Sequence, residues 1–243
     1  MRSGVSTVQL TTTRDSFRAP NGPGLPPTGL AARLNKKAET DPQTIIRVAL
    51  EHAERPVIST NFRPGSAALL HMLVSEYPDI PVIWVDTGFN TASTLRHIDT
   101  LVNAWRLNLK VFSAADRPAF GNHFRAHAAS EPLAADDPDF DQFVEQLKLE
   151  PFRRAFATLK PDLWFTGIRH DQTAYRRSLD IVSPGINGAL RVAPLLHWNA
   201  KQVHEYAARH QIVETHEYFD PTKPEPHLEC GLQLLATQSR SAP

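Results

Sequence analysis

"PVISTNFRPGSAALLHMLVSEY", residues 56–77, decides the architecture. Its first five residues are mostly β-branched and read as a buried strand. "NFRPGS" (61–66) is a loop, and "AALLHMLVSEY" (67–77) is an apolar helix broken by "PDIP". The pattern then repeats. "VIWVD" (82–86) is a second strand, "TGFN" (87–90) a turn, and "TASTLRHIDTLVNAW" (91–105) an amphipathic helix. "LNLKVF" (107–112) is a third strand, and "DLWFTG" (162–167) is another beyond a helical stretch with loop signals around "EPLAADDPD". Strands that alternate with helices predict an α/β fold, a mostly parallel twisted sheet with helices on both faces. Ligands of such sheets bind beyond the carboxyl ends of the strands, near the point where strand order reverses. Three polar stretches follow strands in this way: 59–66, 86–91 and 167–177.

The flanks read outward from this core. Asp41 as N-cap and Pro42 at the first helical position open a helix through "QTIIRVALEHAE". "ALRVAPLLHW" (189–198) is strand then loop, and Asn199 caps "NAKQVHEYAARH". The expected organisation is a disordered N-terminal arm over 1–28, a nucleotide-binding α/β domain over 29–215, and a flexible C-terminal tail over 216–243 that carries the single cysteine.

Composition narrows the class. Of 243 residues, 41% are hydrophobic and 21% charged, and Lys+Arg equals Asp+Glu at 26 each. Zero net charge offers no general attraction for nucleic acid or an acidic membrane surface. No apolar run approaches the length of a membrane span, and the N-terminus has no hydrophobic signal core. One cysteine excludes an internal disulfide framework and fits a reducing compartment. A cytoplasmic protein with no membrane and no nucleic-acid partner is expected.

Each polar stretch has a functional and a plain reading. In the first, Ser59, Thr60, Asn61, Gly65 and Ser66 can donate to an anion at a helix N-terminus, with Arg63 adding charge. The alternative is an ordinary capped strand-to-helix loop. In "VDTGFNT", Asp86 with Thr87 and Gly88 can hold a ribose, a metal or an adenine edge, or Asp86 can simply cap the next helix. In "GIRHDQTAYRRS", Arg169, Arg176 and Arg177 with His170 and Gln172 suit phosphate or sulfate, or the run is a solvated loop paired with Asp171 and Asp180. The histidines, His52, His71 and His97 in helices among them, form no metal-binding pattern, so no metal is expected. Cys230 lies in "EPHLECGLQ", too polar and proline-rich for a core element, which favours a reactive thiol.

Taken in order, "STNFRPGSAALLHML", "IPVIWVDTGFNTASTLRHID", "KLEPFRRAF", "LWFTGIRHDQTAYR" and "ECGL" resemble the phosphoadenylyl-sulfate (PAPS) reductases of assimilatory sulfate reduction, over most of residues 40–233. The resemblance implies an adenine-nucleotide α-hydrolase-like fold of the PP-loop type and a homodimer. It implies that Cys230 attacks the sulfonate of 3′-phosphoadenosine 5′-phosphosulfate to form an S-sulfocysteine, and that thioredoxin or glutaredoxin then releases sulfite. No bound cofactor is implied. An iron–sulfur cluster needs several thiolates and the chain has one, so no cluster is expected and the phosphorylated substrate is favoured. A cluster-free adenylyl-sulfate reductase, or a nucleotide-binding relative without activity, is the alternative. Glu229, Gly231 and Gln233 complete the tail motif, in which Gln233 stands where the family has histidine. The stretch before "ECGL" is short, and Arg63-Pro64 displaces the glycine usual in the family's phosphate loop.

Overall fold

Asp41 holds an extended backbone while its carboxylate accepts from the Thr44 amide (2.9 Å), and with Pro42 next the helix α2 (Pro42–Leu50) starts where both signals coincide. The computed structural model describes residues 27–36, 41–114, 136–214 and 217–223. Helix α1 (Pro27–Lys36) precedes α2. Then come β1 (Pro56–Ser59), α3 (Ser66–Glu76), β2 (Pro81–Val85), α4 (Ala92–Trp105) and β3 (Asn108–Phe112). Beyond residue 135 come α5 (Phe140–Val144), a π turn (Glu145–Leu149), α6 (Glu150–Leu159), β4 (Leu163–Phe165), α7 (Ala174–Arg177), β5 (Val182–Pro184), β6 (Leu190–Val192) and α8 (Ala200–Arg209). No helix among the described residues is long and apolar enough to cross a membrane.

The strands form one sheet in the order β3-β2-β1-β4-β6-β5, parallel except for β5 against β6. Period-two alternation sorts the strand side chains. Ile58, Val82, Trp84, Leu163 and Phe165 pack with residues of α1–α4 and α8 on one face. Val57, Ile83 and Trp164 pack against Phe152, Ala155 and Phe156 of α6 on the other. The expected mostly parallel sheet with helices on both faces is therefore present. The antiparallel edge β5 carries no sequence signal of its own. It is held by Asn35 of α1, whose side chain donates to the Val182 carbonyl (2.8 Å) and accepts from its amide (2.9 Å), as a neighbouring strand would. Helix α2 also ends earlier than its pattern suggests. His52 lies in the following turn, with Nδ1 2.7 Å from the Val48 carbonyl.

The helical backbone runs unbroken from Phe140 to Leu159, widening to a π turn just before Pro151. A proline inside a helix lacks an N–H and crowds the carbonyl four residues back, and the wider turn relieves both. The turn also carries Lys148, which is buried and must find an internal partner. Its Nζ donates to Asp220 Oδ2 (2.5 Å) and to Thr222 Oγ1 (2.8 Å), and Thr222 donates through both hydroxyl and amide to Asp220 Oδ1. Two further hydrogen bonds fasten the same segment, 217–223. Thr94 Oγ1 donates to the Glu217 carbonyl (2.9 Å), and Asn61 Nδ2 donates to the Tyr218 hydroxyl (2.9 Å). The segment is thus a strap tied to the β1–α3 loop, α4 and the π turn.

Burial raises the Asp220 pKa, but the Lys148 charge and the hydrogen bonds from Lys148 and Thr222 outweigh it and hold the carboxyl below its ordinary 3.8. A depressed carboxyl contributes stability above its unfolded pKa that is lost as pH falls through the folded value. Asp220→Ala should cost about 3–5 kcal/mol in urea unfolding at neutral pH, since Lys148 is left buried and unpaired. The difference from wild type should shrink below about pH 4, and a pH-independent difference would contradict the pairing. Burial also lowers the pKa of His71, His97 and His197 below 6.5, so each favours its neutral form in the fold. Stability should therefore decline from about pH 7.5 to about pH 5.5. His71→Gln, which retains a partner for the Tyr206 hydroxyl (3.0 Å from Nδ1) without titrating, should flatten that decline, as measured by urea unfolding across the range.

Candidate functional site

Strand order reverses at β1, since the chain passes from β1 to β2 and β3 on one side and reaches β4, β6 and β5 on the other. The crevice between the carboxyl ends of β1 and β4 is the switch point of the sheet, where the helices on either side diverge. A cleft opens there, lined by the β1–α3 loop, the β2–α4 turn, the loop after β4, the π turn and the strap.

The β1–α3 loop is shaped by its own hydrogen bonds. Thr60 Oγ1 accepts from the Phe62 amide (3.1 Å), Asn61 Oδ1 from the Arg63 amide (3.3 Å), and the Ser66 hydroxyl donates to the Arg63 carbonyl (2.7 Å). Phe62 is fully buried with φ +54°, a left-handed conformation costly for a bulky residue and maintained by core packing. Its ring meets Trp84 edge to face at 5.9 Å. Gly65, φ +80°, takes the cap position of α3, and no side chain there occupies the helix N-terminus. Its N–H donates instead to Glu214 Oε1 (2.9 Å), so the amide already faces a carboxylate. Ser59 accepts from Trp164 Nε1 (2.8 Å), which ties the loop to β4.

Of the residues expected from sequence, Ser59, Thr60, Asn61, Arg63, Gly65 and Ser66 line this cleft together, joined by Thr87, Arg169 and Arg176. The others are placed elsewhere. Asp86 accepts from the Gly88 amide (2.9 Å) and Asn90 Nδ2 (3.1 Å), so both Asp86 and Gly88 shape their own turn. The His170 ring lies 3.1 Å from the Leu179 carbonyl and edge-on to His197, and its amide donates to the Leu196 carbonyl. Arg177 is exposed on α7 and absent from the lining. Gln172 stands behind the wall, where its Oε1 accepts from the Arg169 amide (3.1 Å) and from Arg176 Nη1. Cys230, with Glu229, Gly231 and Gln233, lies outside the described residues.

The strap and the π turn add residues that the sequence did not single out: Lys148, Tyr218, Asp220 and Lys223. One signal for Lys148 was available. It falls on the apolar stripe of Val144, Leu147, Pro151 and Phe152, where a charge needs a partner. With these, the wall carries five cations, Arg63, Lys148, Arg169, Arg176 and Lys223, against one acid, Asp220. In a chain of zero net charge this is a local concentration of positive charge. Ile58, Leu69, Ile83, Phe152 and Ile168 add apolar lining. A cleft lined by both cations and apolar side chains suits a ligand with anionic groups and a flat apolar body, such as a phosphorylated nucleoside. Among the described residues no group of three or more His, Cys, Asp or Glu could hold a metal ion.

Comparison with known proteins agrees with the geometry. The family model described as "Phosphoadenosine phosphosulfate reductase domain" matches residues 55–220, from the start of β1 into the strap. A phosphoadenosine 5′-phosphosulfate reductase of Synechococcus is 33% identical over 198 residues, covering 79% of this chain and 80% of that protein. One from Synechocystis is 37% identical over 166 residues, covering 68% and 64%. The crystal structure of the PAPS reductase from Candida auris, in a phosphate complex, superposes with a TM-score of 0.64 at 22% identity, covering 76% of this chain and 87% of that one, and it shares the fold. With the family model matching more than half of the chain and the Synechococcus relative 33% identical over most of its length, the chain belongs to the phosphoadenosine phosphosulfate reductase family.

Proposed function

We propose that this protein reduces 3′-phosphoadenosine 5′-phosphosulfate to sulfite, with adenosine 3′,5′-bisphosphate as the other product. The observation that carries the reading is the switch-point cleft, whose lining holds five cations, one acid and several apolar side chains. The substrate bears a phosphosulfate and a separate 3′-phosphate, so it needs several cations within one site. The Gly65 amide at the N-terminus of α3 is engaged by Glu214, so it donates to one of those anionic groups once the ligand displaces that carboxylate.

Cys230 is the thiol available for the chemistry, and it is the chain's single cysteine. It lies seven residues beyond Lys223, a cleft residue, so an extended chain brings it within about 25 Å of that wall. The thiolate attacks the sulfonate sulfur. A sulfur–sulfur bond forms, the bond from sulfur to the bridging oxygen breaks, and the nucleotide departs with that electron pair. An outside thiolate then attacks the Cys230 sulfur and expels sulfite with the sulfur–sulfur electron pair. A second thiol of the same donor resolves the mixed disulfide, so a dithiol supplies the two electrons. One cysteine can accept the sulfonate but cannot resolve the adduct, which is why the reading includes thioredoxin or glutaredoxin as partner. Family resemblance adds a homodimer. The cations stabilise the leaving phosphate as its charge develops.

Sulfite release tests the reading. Wild-type protein given the phosphorylated nucleotide, thioredoxin and a reducing system should release sulfite, and Cys230→Ser should abolish release while nucleotide binding persists. Adenylyl sulfate run in parallel should be much the poorer substrate. Activity confined to adenylyl sulfate would overturn the substrate assignment, and nucleotide binding without sulfite from either would overturn the reaction.

A further inference from the structure

Glu214 reaches from beyond α8 to the start of α3. Its Oε1 accepts from the Gly65 amide (2.9 Å), 149 residues away in sequence. Gly65 is both the cap residue of α3 and part of the cleft lining. A helix start is ordinarily completed by the side chain of its own cap residue, as Asp41 does for α2 and Thr91 for α4. Gly65 has no side chain, and an acid from another part of the fold stands there instead.

That acid is lightly held. Its side chain is only 17% exposed, so little water compensates its charge. Its second oxygen, Oε2, faces His204 Nδ1 at 3.6 Å, longer than a hydrogen bond, and the His204 side chain is 76% exposed. One firm bond to one amide therefore keeps a carboxylate at the edge of a cleft whose lining includes five cations. The Arg169 guanidinium passes 4.0 Å from where a Cβ on Gly65 would stand. A phosphate arriving here meets the same attractions: a main-chain donor, the N-terminus of α3 and a nearby guanidinium. It brings more charge and more acceptor oxygens than the carboxylate does. The two anions repel each other, so the amide serves one at a time.

We infer that Glu214 is an internal competitor for the anion position at the start of α3: its carboxylate fills the position while the cleft is empty, and a phosphate of the nucleotide displaces it. The inference deepens the sulfonucleotide reading and rests on it. The apparent affinity for ligand falls with the share of molecules in which Glu214 is seated. The contact is thus autoinhibitory, and the site answers to a ligand that carries more charge than the carboxylate it replaces.

The test is binding of inorganic phosphate and of adenosine 3′,5′-bisphosphate, with uncharged adenosine alongside, to wild type, Glu214→Gln, Glu214→Asp and Glu214→Ala, with thermal unfolding of each. The glutamine variant keeps an acceptor for Gly65 without the charge. The aspartate variant keeps the charge on a side chain one methylene too short for the amide. Each variant should bind phosphate and bisphosphate about fivefold or more tightly than wild type does, and adenosine with unchanged affinity. Should the alanine variant fail to fold, the glutamine and aspartate variants still decide the matter. Phosphate and bisphosphate bound by the glutamine variant no more tightly than by wild type overturns the inference and leaves Glu214 a structural cap. A gain confined to the glutamine and alanine variants also overturns it, because that is repulsion at a distance and not occupancy of the amide. So does an equal gain for adenosine. In each of these cases, bisphosphate bound by wild type leaves the sulfonucleotide reading standing. Failure of the wild type to bind the bisphosphate overturns that reading, and the inference with it.

Discussion

Lys148 brings a positive charge to a buried position on the π turn, and the protein has to answer it from within. The answering carboxylate, Asp220, stands 72 residues further along the chain, beyond the last helix. Their side chains are only 8% and 10% exposed, and Thr222 satisfies what the pair leaves over. Removing two ions from water is costly, so such a pair is a weak source of net stability compared with an apolar contact. Its value is geometric. A charge buried at one point can be met only by bringing the strap to that point, and this sets the wall of the cleft and the root of the segment leading to Cys230.

The other walls follow a different logic. The β1–α3 loop and the run after β4 are rich in groups that hold one another: hydroxyls cap amides, Asp171 steadies Arg169, and Gln172 steadies Arg176. Such bonds organise the donors before a ligand arrives, which lowers the reorganisation needed on binding. The same economy explains why several residues that look functional in sequence do not face the cleft. Asp86 holds the turn that carries Thr87 into the lining, and His170 fixes the loop in which its chain neighbour Arg169 lines the cleft.

What sequence made legible and what it hid divide along physical lines. Helix α2 and helix α8 were readable because their caps are local: Asp41 to Thr44, and the reciprocal box of Asn199 with Gln202. Strands β1, β2 and β4 were readable because both of their faces are buried, which demands continuous apolar runs. Strand β5 was not, since three residues that include a proline owe their order to β6 and to Asn35. The strap was opaque for a similar reason. "YFDPTK" is polar and short, and its fixed geometry comes from Lys148 and Asn61, far away in sequence. The residues of the β1–α3 loop could be placed at the cleft because a strand, a glycine and a helix in succession carry their own meaning. The part played by Gln172 depends on which atoms converge on it, and no spacing rule contains that.

The central claim is that the cleft delivers a sulfonate to Cys230. Its most direct test is to mix reduced protein with a stoichiometric amount of 3′-phosphoadenosine 5′-phosphosulfate, without any external thiol, and to weigh the peptides after rapid quenching. The expected result is a gain of one SO3 on the peptide containing Cys230, removed as sulfite when a dithiol is added. Nucleotide cleaved or bound with that peptide unchanged, or SO3 found on another residue, would contradict it.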